Sequence, residues 1–491
     1  MSAVLLTGAR LVGPDGTGER PVDVLLRDGW IADVGQDLAA PDAERVALDG
    51  RYLMPGMWDG HVHMGQWAAV SRRLDVSSAR SAGEAAALVR ARIDEGWDAA
   101  DILLGYGFRD ALWPDAPSAD LLAFGDIPVA LVSGDVHTVW SNRALIDRLG
   151  LPGGSWWLNE QAAFDLGVRL SAADEATVDR WVADAALAAA ARGVTGIVDL
   201  EMSGTVRAWG RRVSGGLRAL RVKAGVYPVD LDAVRDQGLR TGEGIPGADG
   251  LATVAWFKLF TDGALNSRTA WCVDPYPDGG GRGLPTYADA ELLAVAREGL
   301  AAGLVPTIHA IGDRAVTQAL DTFAALAIPA GAPDRGRIEH AQLVLPADAP
   351  RFAALGVRAS VQPEHAMDDR DVADHHWAGR TERSFAYRTL LDAGATLELG
   401  SDAPVAPLDP WATLAAAVTR SRDGREPWHP EQALPRGAAL AASWGGVVAI
   451  EAGGPADLVI LDADPHAVDP GELRTMPVHA TLVDGAFTFG R

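Results

Sequence analysis

The stretch Met54–Gly65, MPGMWDGHVHMG, carries two histidines two residues apart at the point where a strand-like run passes into a loop. Side chains two apart on a strand point to the same side, so His61 and His63 can reach one metal ion from a single strand end. By itself the pair fits satisfied core or surface histidines equally well, and its meaning comes from the chain around it. From about residue 54 to 410, short β-branched or apolar runs alternate with Ala-rich helical stretches such as AADEATVDRWVADAALAAAARG and DAELLAVAREGLAAG. That alternation marks βαβ units and a parallel sheet. The strand candidates are MPGMWDGHVH, GVTGIVDLE, RVKAGVYPV, VAWFKLFTDG, VPTIHAIGD, RIEHAQLV, RASVQPEH and TLELGSDAPV, and these eight are the number that closes a TIM-type (β/α)8 barrel.

The unusual polar residues fall at matching places in the later strands. Lys258 interrupts VAWFKLFTDG, His309 sits in VPTIHA, His340 ends RIEH, and Asp402 follows TLELGS. Strand ends of a closed barrel converge on one mouth, so these side chains are expected to gather around His61 and His63. Asp402 could instead cap the following helix, and Lys258 could form an ordinary buried ion pair. As a site, the set suits a divalent metal. Neutral imidazoles favour Zn2+, a carboxylate completes coordination and accepts a proton from water, and a lysine carboxylated by CO2 can bridge two ions about 3.5 to 4 Å apart. With Lys258 carboxylated the expectation is two ions, and otherwise one.

The remaining segments suggest an α/β fold with three parts. Residues 1–55 and 441–491 each hold a few short strands with turns, too few for a stable sheet alone, and are expected to pair into a small β-sandwich. Residues 56–440 form the barrel, with an inserted subdomain at about 66–170 that is far too long for a βα loop. The insert is rich in tryptophan, with Trp67, Trp97, Trp113, Trp140, Trp156 and Trp157, and Trp256 precedes Lys258, which suggests an apolar access channel.

Among 491 residues, 43 are basic and 66 acidic, a formal charge of −23 that repels polyanions and argues against a nucleic-acid partner. A small-molecule substrate is expected, self-association is open, and no apolar run approaches the roughly 18 residues of a membrane span. The single Cys272 and a start, MSAVLLTGARLVGPDG, without a basic leader or sustained apolar stretch make a cytoplasmic location the expectation.

The same motifs make the chain resemble the amidohydrolase superfamily, in particular its YtcJ-like branch. The likeness runs through MPGMWDGHVHMG, IPVALVSGDVHTVWSNRAL, GVTGIVDLE, WFKLFTDGALNSRTA, IHAIGDRAV, RIEHAQLV, SVQPEH, LGSDAPVAPLDP and GGPADLVILD. It implies a distorted (β/α)8 barrel with a terminal β-sandwich and hydrolysis at C–N or related bonds. It also implies His61, His63, Lys258, His309, His340 and Asp402 as metal-site positions, with Asp402 the catalytic acid/base. His137, Trp140, Arg268 and His365 become substrate-pocket positions. The chain departs from the branch at GALNSR, where GSLGSR is usual, so Asn266 alters how Arg268 or the substrate is held.

The leading expectation is a metal-dependent hydrolase of an amide-like bond, an N-acyl or N-formyl amine with an aromatic or bulky apolar group. The alternatives are a one-metal deaminase or cyclic amide hydrolase with Lys258 unmodified, Glu201 then being a fallback anion, and a catalytically silent metal-binding protein.

Overall fold

A computed structural model describes residues 3–108, 110, 113–133, 138–171, 173–277 and 279–490. The chain divides into two compact units, one comprising Met1–Trp67 with Ala183–Arg491 and the other Ala68–Val182.

The first unit contains the barrel. Its strands are β1 (Met57–Val62), β2 (Val194–Asp199), β3 (Arg221–Val226), β4 (Ala252–Phe260), β5 (Pro306–Ala310), β6 (Arg337–His340), β7 (Arg358–Val361) and β8 (Leu397–Leu399). They are hydrogen-bonded in that order and all parallel, and every expected strand is present. Closure comes just beyond β8, where Val62 bridges Ala403, the Asp402 N–H donates to the His61 carbonyl at 2.7 Å, and the His63 N–H donates to the Ala403 carbonyl at 2.8 Å. The backbone bonds that close the barrel thus run through three of the expected site residues.

Gly400 is required at this seam, because a Cβ there would lie 2.6 Å from the His61 amide nitrogen. Gly400→Ala should therefore push β8 away from β1 and destabilise the protein by about 1–3 kcal/mol, visible as a lower melting temperature. An unchanged melt would mean the seam relaxes without cost.

Deep in the barrel the packing is charged and aromatic. Arg337, fully buried, bonds Glu339 at 2.8 Å and Glu398 at 2.8 Å, and its guanidinium lies 4.4 Å from the centre of the Trp256 ring. Trp256 donates its indole N–H to Asp334. Residues two apart on β4 share a side but occupy successive layers, so Trp256 supports the layer beneath Lys258 and lines no access channel.

The strands from both chain ends join in one nine-stranded sheet, with Leu458–Leu461 antiparallel to Tyr52–Pro55. The strand Val4–Gly13 belongs to both halves of it. Val4–Leu6 pairs with Val22–Arg27, Arg10–Leu11 pairs with Tyr52–Pro55, and the register shifts between Leu6 and Ala9, where Gly8 adopts φ 72°. Alternate residues, Val4 and Leu6, Val24 and Leu26, Leu458 and Ile460, Ala480 and Leu482, then bury one face each in a common core.

The second unit has its own five-stranded sheet, which includes Leu103–Phe108 and Val129–Ser133, the two strand-like runs of the insert. Five of its tryptophans share one core. Trp140 has no exposed surface, donates its indole N–H to the Ser118 carbonyl at 2.9 Å, and sits among Phe108 and Trp113, with Trp97, Trp156 and Trp157 in the same core. Trp140 is therefore a core residue of this unit and offers no face to a substrate, which corrects the expectation for it. His137 lies outside the described residues.

Candidate metal centre

His61 and His63 flank Val62 at the end of β1, and both Nε2 atoms point at one carboxylate oxygen, Oδ1 of Asp402, at 3.4 and 3.3 Å. Asp402 does not cap the following helix, because Asp409 accepts the Trp411 N–H at that helix start. It adopts φ 56°, an uncommon left-handed conformation, and is held there by its own N–H to His61 and by the Val405 N–H on its carbonyl. His340 also has a positive φ, 72°, at the end of β6. That turn breaks strand alternation, so consecutive residues Glu339 and His340 both serve the site.

Three of the histidines have their second nitrogen engaged in a way that selects a tautomer. His61 donates Nδ1–H to Oε2 of Glu339 at 2.8 Å, His340 Nδ1 bonds Oε1 of Gln362 at 2.9 Å, and His309 Nε2 bonds the Gly263 carbonyl at 3.1 Å. The lone pairs are thereby left on Nε2 of His61, Nε2 of His340 and Nδ1 of His309. The rings are close neighbours, with centroids 5.0 Å apart for His61 and His340 and 4.6 Å for His309 and His340.

Electrostatics put these groups in ligating form. Burial lowers His61 to about 4 and His309 to about 3 and holds His340 well below its ordinary value, so all three are neutral at pH 7. Burial alone would raise Asp402, but the surrounding imidazoles outweigh it and keep the carboxylate charged. For His63, burial works downward and the bond to Asp402 prevails, raising it. Neutral imidazoles beside a carboxylate are what a divalent cation requires. The candidate donor atoms of His61, His63 and Asp402 lie within 4.8 Å of one another, as do those of His340, His365 and Asp402.

Lys258 is 1% exposed, its Nζ has no hydrogen-bond partner among the described residues, and burial lowers it to about 8. A buried amine with no acceptor is costly as it stands. A carboxyl group or a shared metal would remove that cost, so the residues present fit a metal, on the evidence of this orphaned atom and the converging lone pairs. Glu201 is otherwise committed, its carboxylate receiving the Gln66 N–H and side-chain amide at 3.0 and 2.8 Å.

The site opens into a cavity of about 490 Å³ whose wall includes Met202, Phe260, Leu265, Asn266, Gln342 and His365. His365 Nε2 is 3.7 Å from Oδ2 of Asp402, and its Nδ1 faces the Gln342 amide at 3.3 Å. Arg268 is exposed and does not line the cavity. Asn266 of the same loop lines it instead, so the structure does not bring Arg268 to the cavity wall as expected.

Sequence reasoning passed over Glu339 and Gln362, although an acid one residue before a strand-end histidine was a usable signal. Glu339, fully buried, also accepts from Arg337 and Thr307 while it orients His61. Glu339→Gln should weaken metal affinity about 10- to 100-fold, as judged by competition with a chromophoric chelator. Unaltered affinity would show that His61 holds its tautomer unaided.

The amidohydrolase family model matches residues 44–489. The putative amidohydrolase YtcJ of Bacillus subtilis is 26% identical over 96% of this chain and 96% of its own length. The N-substituted formamide deformylase of Arthrobacter pascens is 27% identical over 95% of each. Among solved structures, an uncharacterised metal-dependent hydrolase from Pyrococcus horikoshii OT3 superposes with TM-score 0.77 at 26% identity, covering 96% of this chain and 99% of that one.

Proposed function

Since the chain belongs to the amidohydrolase family and is a metal-dependent hydrolase acting on C–N bonds, we propose that it cleaves a small N-acyl or N-formyl amine. The observation that carries this reading is the gathering of His61, His63 and Asp402 beside the unpartnered Lys258 at the barrel mouth. The chemical class is supported by the relative described as an N-substituted formamide deformylase.

In this reading His61, His63, His309, His340 and Asp402 would hold two divalent ions, Zn2+ being the expected metal, with Lys258 as a carbamate among their ligands. For that, the neutral Lys258 amine adds to CO2 and releases a proton, leaving an N-carboxylate. When bound, the metal supplies acidification of water near neutral pH and polarisation of the amide carbonyl. Asp402, kept anionic, takes the proton of the attacking water and returns it to the departing nitrogen. His365, beside Asp402 on the wall, contacts the substrate and holds it against that carboxylate.

A second reading keeps Lys258 as a free amine and uses one ion, for deamination or cyclic amide opening. It is favoured by Asp402 sharing one compact donor set with His61 and His63 without help from Lys258. Metal content distinguishes the two, with two ions per chain expected here and one in that alternative.

The partner we infer is a small molecule and not a nucleic acid, in keeping with the charge of −23. Among the described residues no helix is long and apolar enough to cross a membrane. The test of the function is a panel of N-formyl and N-acetyl amines assayed with metal-loaded and chelator-treated protein. Turnover that chelation abolishes and Zn2+ restores is expected. No hydrolysis of any member by the loaded protein would overturn the amide reading.

A further inference from the structure

The wall of the active-site cavity has a one-sided charge. Apart from the histidines, its ionisable residues are Lys258, Asp368, Asp369 and Asp402, and Lys258 is sealed in the barrel end. No arginine and no other lysine lines it among the described residues. Arg422 approaches from behind and is already bound to Asp368 at 2.6 Å and to Glu364 at 3.1 Å. A substrate carboxylate would therefore meet acids with no cation to pair with, which disfavours N-acyl amino acids.

Asp369 is the wall acid with capacity to spare. It is half-buried, and its Oδ1 accepts the Asn266 amide N–H at 2.8 Å while Oδ2 has no partner among the described residues. Asn266 is one of the two residues, with Ala264, that depart from the usual loop motif, and it orients the carboxylate. Gln342, also on the cavity wall, is 4% exposed, its amide nitrogen faces His365, and its Oε1 accepts no hydrogen bond among the described residues. The wall thus offers acceptors in excess, and burial raises Asp369 against the lowering effect of the Asn266 bond and of nearby His365. The same cavity is lined by Phe260, Leu265 and Ile311, which suit a hydrocarbon portion of a substrate.

We propose that the preferred substrate is an amide that also carries a protonated amine, with Asp369 receiving the ammonium while the amide lies at the metal centre. The proposal rests on the amide-hydrolase reading above and adds the charge that the substrate carries besides its amide. A donor-rich ammonium meets the free oxygen of Asp369, and the protein's net charge of −23 favours its approach.

The test uses the metal-loaded enzyme and the mono-N-formyl derivatives of three amines of like shape: 1,4-bis(aminomethyl)benzene, 4-methylbenzylamine and 4-(aminomethyl)benzoic acid. The ammonium compound should exceed the methyl compound in kcat/KM by about tenfold or more, with the carboxylate last. Asp369→Asn should collapse the ammonium-to-methyl ratio through KM, Asp369→Glu should retain it, and Asp369→Lys should move the preference toward the carboxylate. Equal or better use of the methyl or carboxylate compound, or a ratio unmoved in Asp369→Asn, overturns the proposal. If none of the three is hydrolysed, the amide reading fails separately, and calorimetric binding of 4-methylbenzylammonium against 4-methylbenzoate decides the charge preference. Ammonium binding weakened in Asp369→Asn supports it, and equal binding of the two probes, or ammonium binding unweakened in that variant, overturns it.

Discussion

Asp402→Asn is expected to lower kcat by about 10²- to 10⁴-fold while most of the metal stays bound. The substitution keeps the size of the side chain and one oxygen facing His61 and His63, but removes the group able to take and return a proton. The backbone should tolerate it, because Asn accepts the left-handed conformation about as readily as Asp, and the bonds that fix φ at 56° are main-chain ones. Steady-state kinetics on N-formyl amines, with metal content measured on the same samples, check both halves. Activity within tenfold of the parent would remove Asp402 from its role as proton carrier. Loss of metal in step with activity would make it a ligand first.

Lys258→Ala should have an effect of similar size by a different route. In the two-ion reading it deletes the bridge, so metal content should fall from two ions per chain toward one. kcat should fall by more than the roughly 100-fold that loss of an outer-shell partner brings. A short carboxylate such as formate or propionate, added at millimolar concentration, should restore part of the metal content and activity by occupying the vacated space. Lys258→Met separates this from a merely structural role. If the amine is an unmodified, unpartnered buried group, replacing it with an apolar chain should raise the melting temperature without changing metal content. Metal content that is unchanged in both variants would favour the one-ion alternative.

Fold and metal centre differ in how far they could be read from sequence. Strand periodicity with Ala-rich helices between is a local property, and local sterics alone place His61 and His63 on one side of a strand and polar residues at later strand ends. The barrel and its eight strands, and the candidacy of Lys258, His309, His340 and Asp402, were therefore legible from Met54–Gly65 outward. The tryptophans of the insert were not, because an aromatic run reads the same whether it lines a channel or fills a core. Trp140 became a core residue only through its neighbours in the second unit.

Only the tertiary structure could decide the rest, for reasons of distance along the chain. Glu339 serves His61 from 278 residues away, and Asp369 meets Asn266 across 103. Spacing in sequence carries no trace of such pairings. Which loop residue faces the cavity was likewise settled only by the folded loop, in which Asn266 lines the wall and Arg268 is exposed. What the residues determined by themselves was the chemistry available at the barrel mouth, since imidazole, carboxylate and amine keep their character wherever they are placed. Their protonation, tautomers and partners came from burial and from bonds that close only when the barrel does.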